Sequence, residues 1–151
     1  MANTQAMCTS FKTELLDATH NFGTAPTRGT SAADTFYAAL YLTTANLGAG
    51  TTAYTSSGEV SGPGYSAGGI AVTNATPPTS SGTTAYWTPS ASLVYTGVTL
   101  TTPFDTVLIY NQTQGDKSVS VHTFGSQTIT AGTFTLTMPA NTNTTALIRL
   151  A

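Results

Sequence analysis

Charge is the scarcest commodity in this chain. Asp, Glu, Lys and Arg make up 7% of its 151 residues, against about 25% in an ordinary soluble domain. The four cations, Lys12, Arg28, Lys117 and Arg149, are scattered, so no basic stripe exists to neutralise phosphates, and nucleic acid is excluded as a partner. Cysteine is nearly absent too. The single Cys8 rules out a disulfide framework, and a lone thiol with neither histidine near it in sequence is a poor nucleophile. No apolar run reaches the roughly 18 residues of a membrane span. The opening residues "MANTQAMCTS" lack the charged and apolar regions of a signal peptide. The expectation is a soluble chain made in the cytoplasm without an export signal.

What replaces charge is threonine, roughly a fifth of the chain. It is β-branched and suits pleated, half-buried surfaces. Such an exterior is solvated by hydroxyls and amides, repels its own kind weakly and packs readily against neighbours. The length fits one domain, large enough to bury about 70% of the surface exposed by the unfolded chain.

One helix is expected, over "MCTSFKTELLDATHNF", where Met7, Phe11, Leu15, Ala18 and Phe22 form an apolar stripe at helical spacing. Thr9 or Ser10 caps its start, and Gly23 and Pro26 end it. His20 falls off the stripe. About four turns this narrow must dock on the body or on a neighbouring subunit. Strand patterns follow. "TFYAALYLT" is apolar on both faces; "GIAVT" and "TAYWTPS" come after a long Gly-rich excursion. The C-terminal half contains six short runs, "SLVYTGVTL", "FDTVLIYN", "KSVSVHTF", "SQTITA", "TFTLTMP" and "TALIRL". "NQTQGDK" between two of them reads as a hairpin, with Gly115 supplying positive φ. Runs with one dry and one wet face require a second sheet. The fold expected is all-β, an antiparallel β-sandwich of Ig-like or jelly-roll-like type with a short N-terminal α-helix. Residues 1–25 read as an arm and helix, and 26–151 as the sandwich.

Chemistry is thinly provided. His122 follows Val121 and is expected on the Thr-rich face of its strand, as an ordinary surface imidazole. No cluster of His, Cys and carboxylates has metal-ligand spacing, and no cofactor is expected. Asp105 and Asp116 flank one hairpin near Asn111 and read as turn residues rather than cation ligands. Asn74, Asn111 and Asn143 sit in glycosylation tripeptides, but a chain this rich in Thr and Ser gives about two by chance. No G-x-S-x-G elbow occurs, and no enzyme is expected.

The stretch "EVSGPGYSAGGI", Glu59 to Ile70, has the glycines of a phosphate loop but not its context. A strand follows it rather than a helix, and it contains no Lys. Gly62-Pro63-Gly64 reads as a tight turn and Gly68-Gly69 as a bulge or close backbone approach. Glu59 and Tyr65 are the side chains there expected to reach a partner. Tyr54, Tyr65, Tyr86, Trp87 and Tyr95 lie in or beside this loop-rich middle. They form either an adaptable contact surface or half-buried aromatics at sheet edges.

Taken together, "MCTSFKTELL", "DTFYAALYLTTANLGAGTTAYTSSGEVSGPGYSAGG", "FDTVLIYNQTQGDKSVSV" and "AGTFTLTMPANTNTTALIRL" resemble small structural proteins of tailed bacteriophages, head decoration (cement) proteins above all. The resemblance covers most of the chain in the same order, with a family start aligning at Met7-Cys8. It implies a β-sandwich on the capsid surface of the virion that binds the assembled major capsid protein and holds neighbouring subunits together. The partners implied are that protein and copies of this chain, a trimer favoured over a dimer, with no nucleic acid and no membrane. Phe11, Leu15, Phe22, Tyr54, Tyr65, Tyr86 and Trp87 are the candidate contacts. The alternative is a phage tail or fibre module that binds host glycan through Tyr54, Tyr65, Tyr86 or Trp87.

Overall fold

A computed structural model describes residues 2–16, 19–22, 33–73 and 76–151. The elements are β1 (Ala6–Met7), α1 (Thr9–Leu16), β2 (Phe36–Leu42), β3 (Ile70–Ala71), β4 (Thr79–Ser81), β5 (Thr84–Trp87), β6 (Leu93–Asn111), β7 (Lys117–Leu136) and β8 (Ile148–Leu150). They form a five-stranded sheet in the order β1-β7-β6-β2-β3 and a three-stranded sheet in the order β4-β5-β8. Every pairing is antiparallel. The all-β sandwich with one short helix is therefore the architecture of this chain.

The C-terminal half differs from the six runs expected. Two of those runs are one strand, β6, and three are another, β7, paired from Asn111↔Lys117 at the turn to Leu93↔Leu136 at the far end. The polar breaks between runs are register shifts, not chain reversals. They let the ribbon double over. Phe124 and Phe134 lie on the same strand with ring centroids 5.4 Å apart, whereas ten residues of straight strand would span about 33 Å. Phe104 meets Phe134 edge-on at 5.0 Å, and Tyr95 Oη donates to the Ala38 carbonyl of β2 at 2.9 Å. One end of the hairpin thus lies over the other. Thr101, Thr102, Pro103 and Gly125 to Thr128 are exposed where it bends. At the turn, Gly115 has φ 72° as expected, and Asp116 joins it in the left-handed region at 61°.

The helix is shorter than its stripe. It ends at Leu16, and Thr19 to Phe22 are not helical. Met7 belongs to β1, while Ala18, Gly23 and Pro26 lie outside the described residues. Thr19 N–H reaches the Glu14 carbonyl at 2.9 Å, a turn wider than an α-helix closes. Beyond it polar bonding takes over: Asn21 N–H donates to Asp34 Oδ2 at 2.7 Å. The arm docks on its own chain, because β1 pairs with β7 and Phe11 is buried in the common core.

Gly-Pro-Gly makes a turn of the expected kind, with Tyr65 N–H bonded to the Gly62 carbonyl and Gly64 at φ 79°. The Gly-Gly pair is a close approach, since a Cβ on Gly69 would stand 1.8 Å from the Ala38 carbonyl oxygen.

Candidate functional site

Five of the seven candidate contact residues converge. Phe11, Leu15, Phe22, Tyr86 and Trp87 line an apolar crevice of about 110 Å³ between α1 and the face of the small sheet that carries Ile148 and Leu150. Most of this group is core. Phe11, Phe22 and Trp87 are buried; Phe22 stacks on Phe36 at 4.4 Å and meets Trp87 at 4.7 Å. Trp87 Nε1 donates to the Thr76 carbonyl at 3.1 Å, which spends its polar handle inside the chain. Leu15 remains half-exposed and Leu150, 43% exposed, extends the crevice to the surface, while half-exposed Tyr86, paired with Arg149, stands on the opposite face of the small sheet. The alternation Ala85, Trp87 against Thr84, Tyr86 decides which aromatic is free.

Tyr54 and Tyr65 sit elsewhere and hold a carboxylate. Both hydroxyls donate to Glu59, at 2.7 Å each, and Gly68 N–H donates to it at 2.8 Å. Glu59 is buried, so it is a clamp inside the loop rather than a side chain offered to a partner. Burial, reinforced by the Glu59 charge, pushes the Tyr54 phenol up to about 12 and that of Tyr65 higher still. The rings are committed as well: Tyr54 stacks on Tyr110 at 4.8 Å and Tyr65 on Tyr95 at 6.1 Å. Of the four aromatics suited to a sugar, Tyr86 alone has neither a ring partner nor full burial among the described residues.

A second buried network was not legible as a site. His20, Glu14, Asp34 and Asn111 meet under the hairpin turn. Asn111 Nδ2 donates to His20 Nδ1 at 3.0 Å and to Asp34 Oδ2 at 2.8 Å, while its Oδ1 accepts from Gln114 N–H. His20 Nδ1 is therefore an acceptor, so the neutral ring carries its proton on Nε2 and donates it to Glu14 Oε2 at 2.7 Å. Burial lowers the His20 pKa, outweighing the bond to Glu14. Burial also opposes the charge on Glu14, but Lys117 at 2.8 Å and His20 more than offset it and hold the carboxyl below its usual range. The His20 side chain is fully enclosed, so the network ties arm to hairpin and gives no substrate access.

His122 departs from the surface imidazole expected. It is half-buried, bonds Ser120 Oγ at 2.8 Å, and burial pushes its pKa down to about 4. Its face is closed by Leu93, Leu136 and Leu147, which fold over from the other end of the ribbon and the C-terminal segment. Asp105 accepts from Asn3 Nδ2 at 3.0 Å, while Asn111 faces His20, so these residues do not share a cation site. Among the described residues no three His, Cys, Asp or Glu side chains group as metal ligands. Cys8 is buried, and desolvation raises its thiol pKa despite a bond to Ser118. Among the described residues no helix is long and apolar enough to cross a membrane.

Comparison of the chain with family models, with curated proteins and with solved structures finds no match.

Proposed function

We propose that this chain is a structural protein of a tailed-bacteriophage virion, a decoration protein that binds the outside of the assembled head and bridges neighbouring capsid subunits. The observation that supports this reading is how the polar groups are spent. Glu59 with its two tyrosines, and His20 with Glu14 and Asn111, are committed to internal networks. The exterior is left to threonine, serine and glycine. A protein built this way has a surface poor in charge and able to pack closely, and it needs no chemistry. Many equivalent copies on one particle make weak contacts sufficient through avidity.

The accessible apolar residues of the crevice, Leu15 and Leu150, are the contact we assign to the capsid. A small apolar anchor in a polar surround is the usual form of an interface centre. The glycan-binding alternative is less well supported, because Trp87 is buried and Tyr54 and Tyr65 are stacked within the chain.

The test is addition of purified protein to assembled capsids and, separately, to free capsid subunits. Binding to capsids alone, with a rise in their thermal resistance, is the outcome expected. Equal binding to free subunits would contradict the proposal.

A further inference from the structure

Among the described residues, β7 is covered on its outer side only near its start. Lys117 bridges to Ala53, Ser118 N–H reaches the Thr52 carbonyl, the Val119 carbonyl accepts from Cys8 N–H, and Ser120 and Val121 pair with β1. Beyond Val121 no strand among the described residues pairs with that side, although β7 runs on to Leu136. Open edges of soluble proteins are normally blunted by Lys, Pro or inward charges, because their free N–H and C=O groups recruit other strands. None of these is present here. From Ser118 to Ile148 the chain carries no Asp, Glu, Lys or Arg, and its first proline after Lys117 is Pro139.

Register shifts interrupt the edge, the last of them between Gly132 and Phe134, where β6 carries the extra residue; along β7 itself, from Gly132 to Leu136, exposed Thr133 and Thr135 flank buried Phe134. There Phe134 opposes Tyr95, Thr135 opposes Val94 and Leu136 opposes Leu93. Phe134 faces the core; Thr133 and Thr135 face solvent beside Val94, which is 45% exposed. We propose that this run is an association edge, paired antiparallel with the same run of a second copy about a twofold axis near Phe134.

The occupant follows from the composition of the edge. Twofold pairing sets a strand against itself, and any charge on it would then meet its own kind nearby, which is destabilising. An uncharged edge escapes that cost, and threonines facing threonines across a ladder are favourable pairs. The second copy extends the sheet and flanks Val94. This inference stands on the edge alone and not on the decoration reading, and it replaces the trimer favoured by the resemblance with a pair.

The experiment is molar mass by light scattering or sedimentation across a concentration series. Wild type is expected to approach about 31 kDa, twice the 15.5 kDa chain. Thr133→Lys with Thr135→Lys puts like charges at the seam from two exposed positions, and is expected to stay at monomer mass with an unchanged circular dichroism spectrum and melting temperature. Thr83→Lys, exposed in the β4–β5 turn, is expected to dimerise as wild type does. Three results would overturn the proposal: wild type monomeric up to about 1 mM, a trimer or larger closed ring, or a dimer that the double variant leaves intact.

Discussion

Along β2 the outward backbone groups meet the chain's own loop, whereas along the second half of β7 they meet no described strand. The β2 edge is closed piece by piece. Leu42 N–H donates to the Gly58 carbonyl, Val60 N–H to that of Leu40, and the Tyr65 hydroxyl accepts from Leu40 N–H. β3 pairs with Tyr37 and Ala38, and Val72 N–H completes the series at Phe36. The loop that does this carries its own carboxylate clamp at Glu59 and turns on glycines too close to neighbouring backbone to bear a side chain. The difference teaches where specificity is placed. One edge is sealed by a costly buried network, and the other is left in a form suited to a partner.

The largest effect is expected where the sealed edge cannot yield. Gly64→Val and Gly69→Val each place a branched side chain at positive φ, with Cβ 2.2 Å and 1.8 Å from the carbonyl oxygens of Gly97 and Ala38. Each should cost on the order of 4 kcal/mol or more, read as loss of the cooperative urea transition. Gly68→Val meets only the Tyr110 hydroxyl, at 3.1 Å, and keeps the strain of φ 90°. It should be milder than the other two. Normal folding of all three variants would mean that the loop does not close this edge.

Next comes the clamp itself. Glu59→Gln sets an amide N–H against at least one of three donors, and about 2–3 kcal/mol of stability should be lost. Its signature is specific: with the carboxylate gone, the Tyr54 phenol should ionise below the value of about 12 that burial and Glu59 maintain, as followed by ultraviolet titration. An unchanged tyrosine titration would separate Glu59 from the edge.

Acid should weaken the molecule between its two edges. His20 and His122 both have folded pKa values below the unfolded 6.5, so the unfolded state binds more protons and stability falls as pH drops from about 6.5. For His122 the loss should level off near its folded value of about 4, and Glu14, held low by Lys117 and His20, adds a loss of the same sign below the usual carboxylate range. Unfolding free energies from urea titrations at pH 7.5 and 5 should differ by on the order of 1–3 kcal/mol, and His122→Gln should reduce that difference. The smallest effect belongs to the open edge. Ala131 sits at φ 48° in a β7 register shift, and Ala131→Gly should stabilise by at most about 1 kcal/mol.

The sandwich, the hairpin turn and the glycine turns are readable in the sequence because each rests on local chemistry: a run apolar on both faces in "FYAALYL", Gly115 in "NQTQGDK", and Gly-Pro-Gly. What escapes is carried by contacts distant along the chain. Thr101-Thr102-Pro103 and Gly125-Ser126 look like turns and are bends, since composition does not tell a reversal from a register shift in a ribbon that stays paired. The helix stripe runs too far because Phe22 reaches the core from non-helical chain. Glu59 reads as exposed in a glycine-rich loop, and only the folded loop brings Tyr54, Tyr65 and Gly68 N–H to it. His20 and Asn111 are 91 residues apart, and neither signals the other. His122 is half-covered by strand ends that return only because the ribbon doubles over.

The asymmetry between the two edges is tested most directly by amide hydrogen exchange, resolved by residue, at dilute and at high protein concentration. The account predicts protection of the amides at Leu40, Leu42 and Val60 at both concentrations, and of outward amides within Gly132 to Leu136 only at the higher one. Equal protection of the β7 run in dilute solution, or none at high concentration, would contradict it.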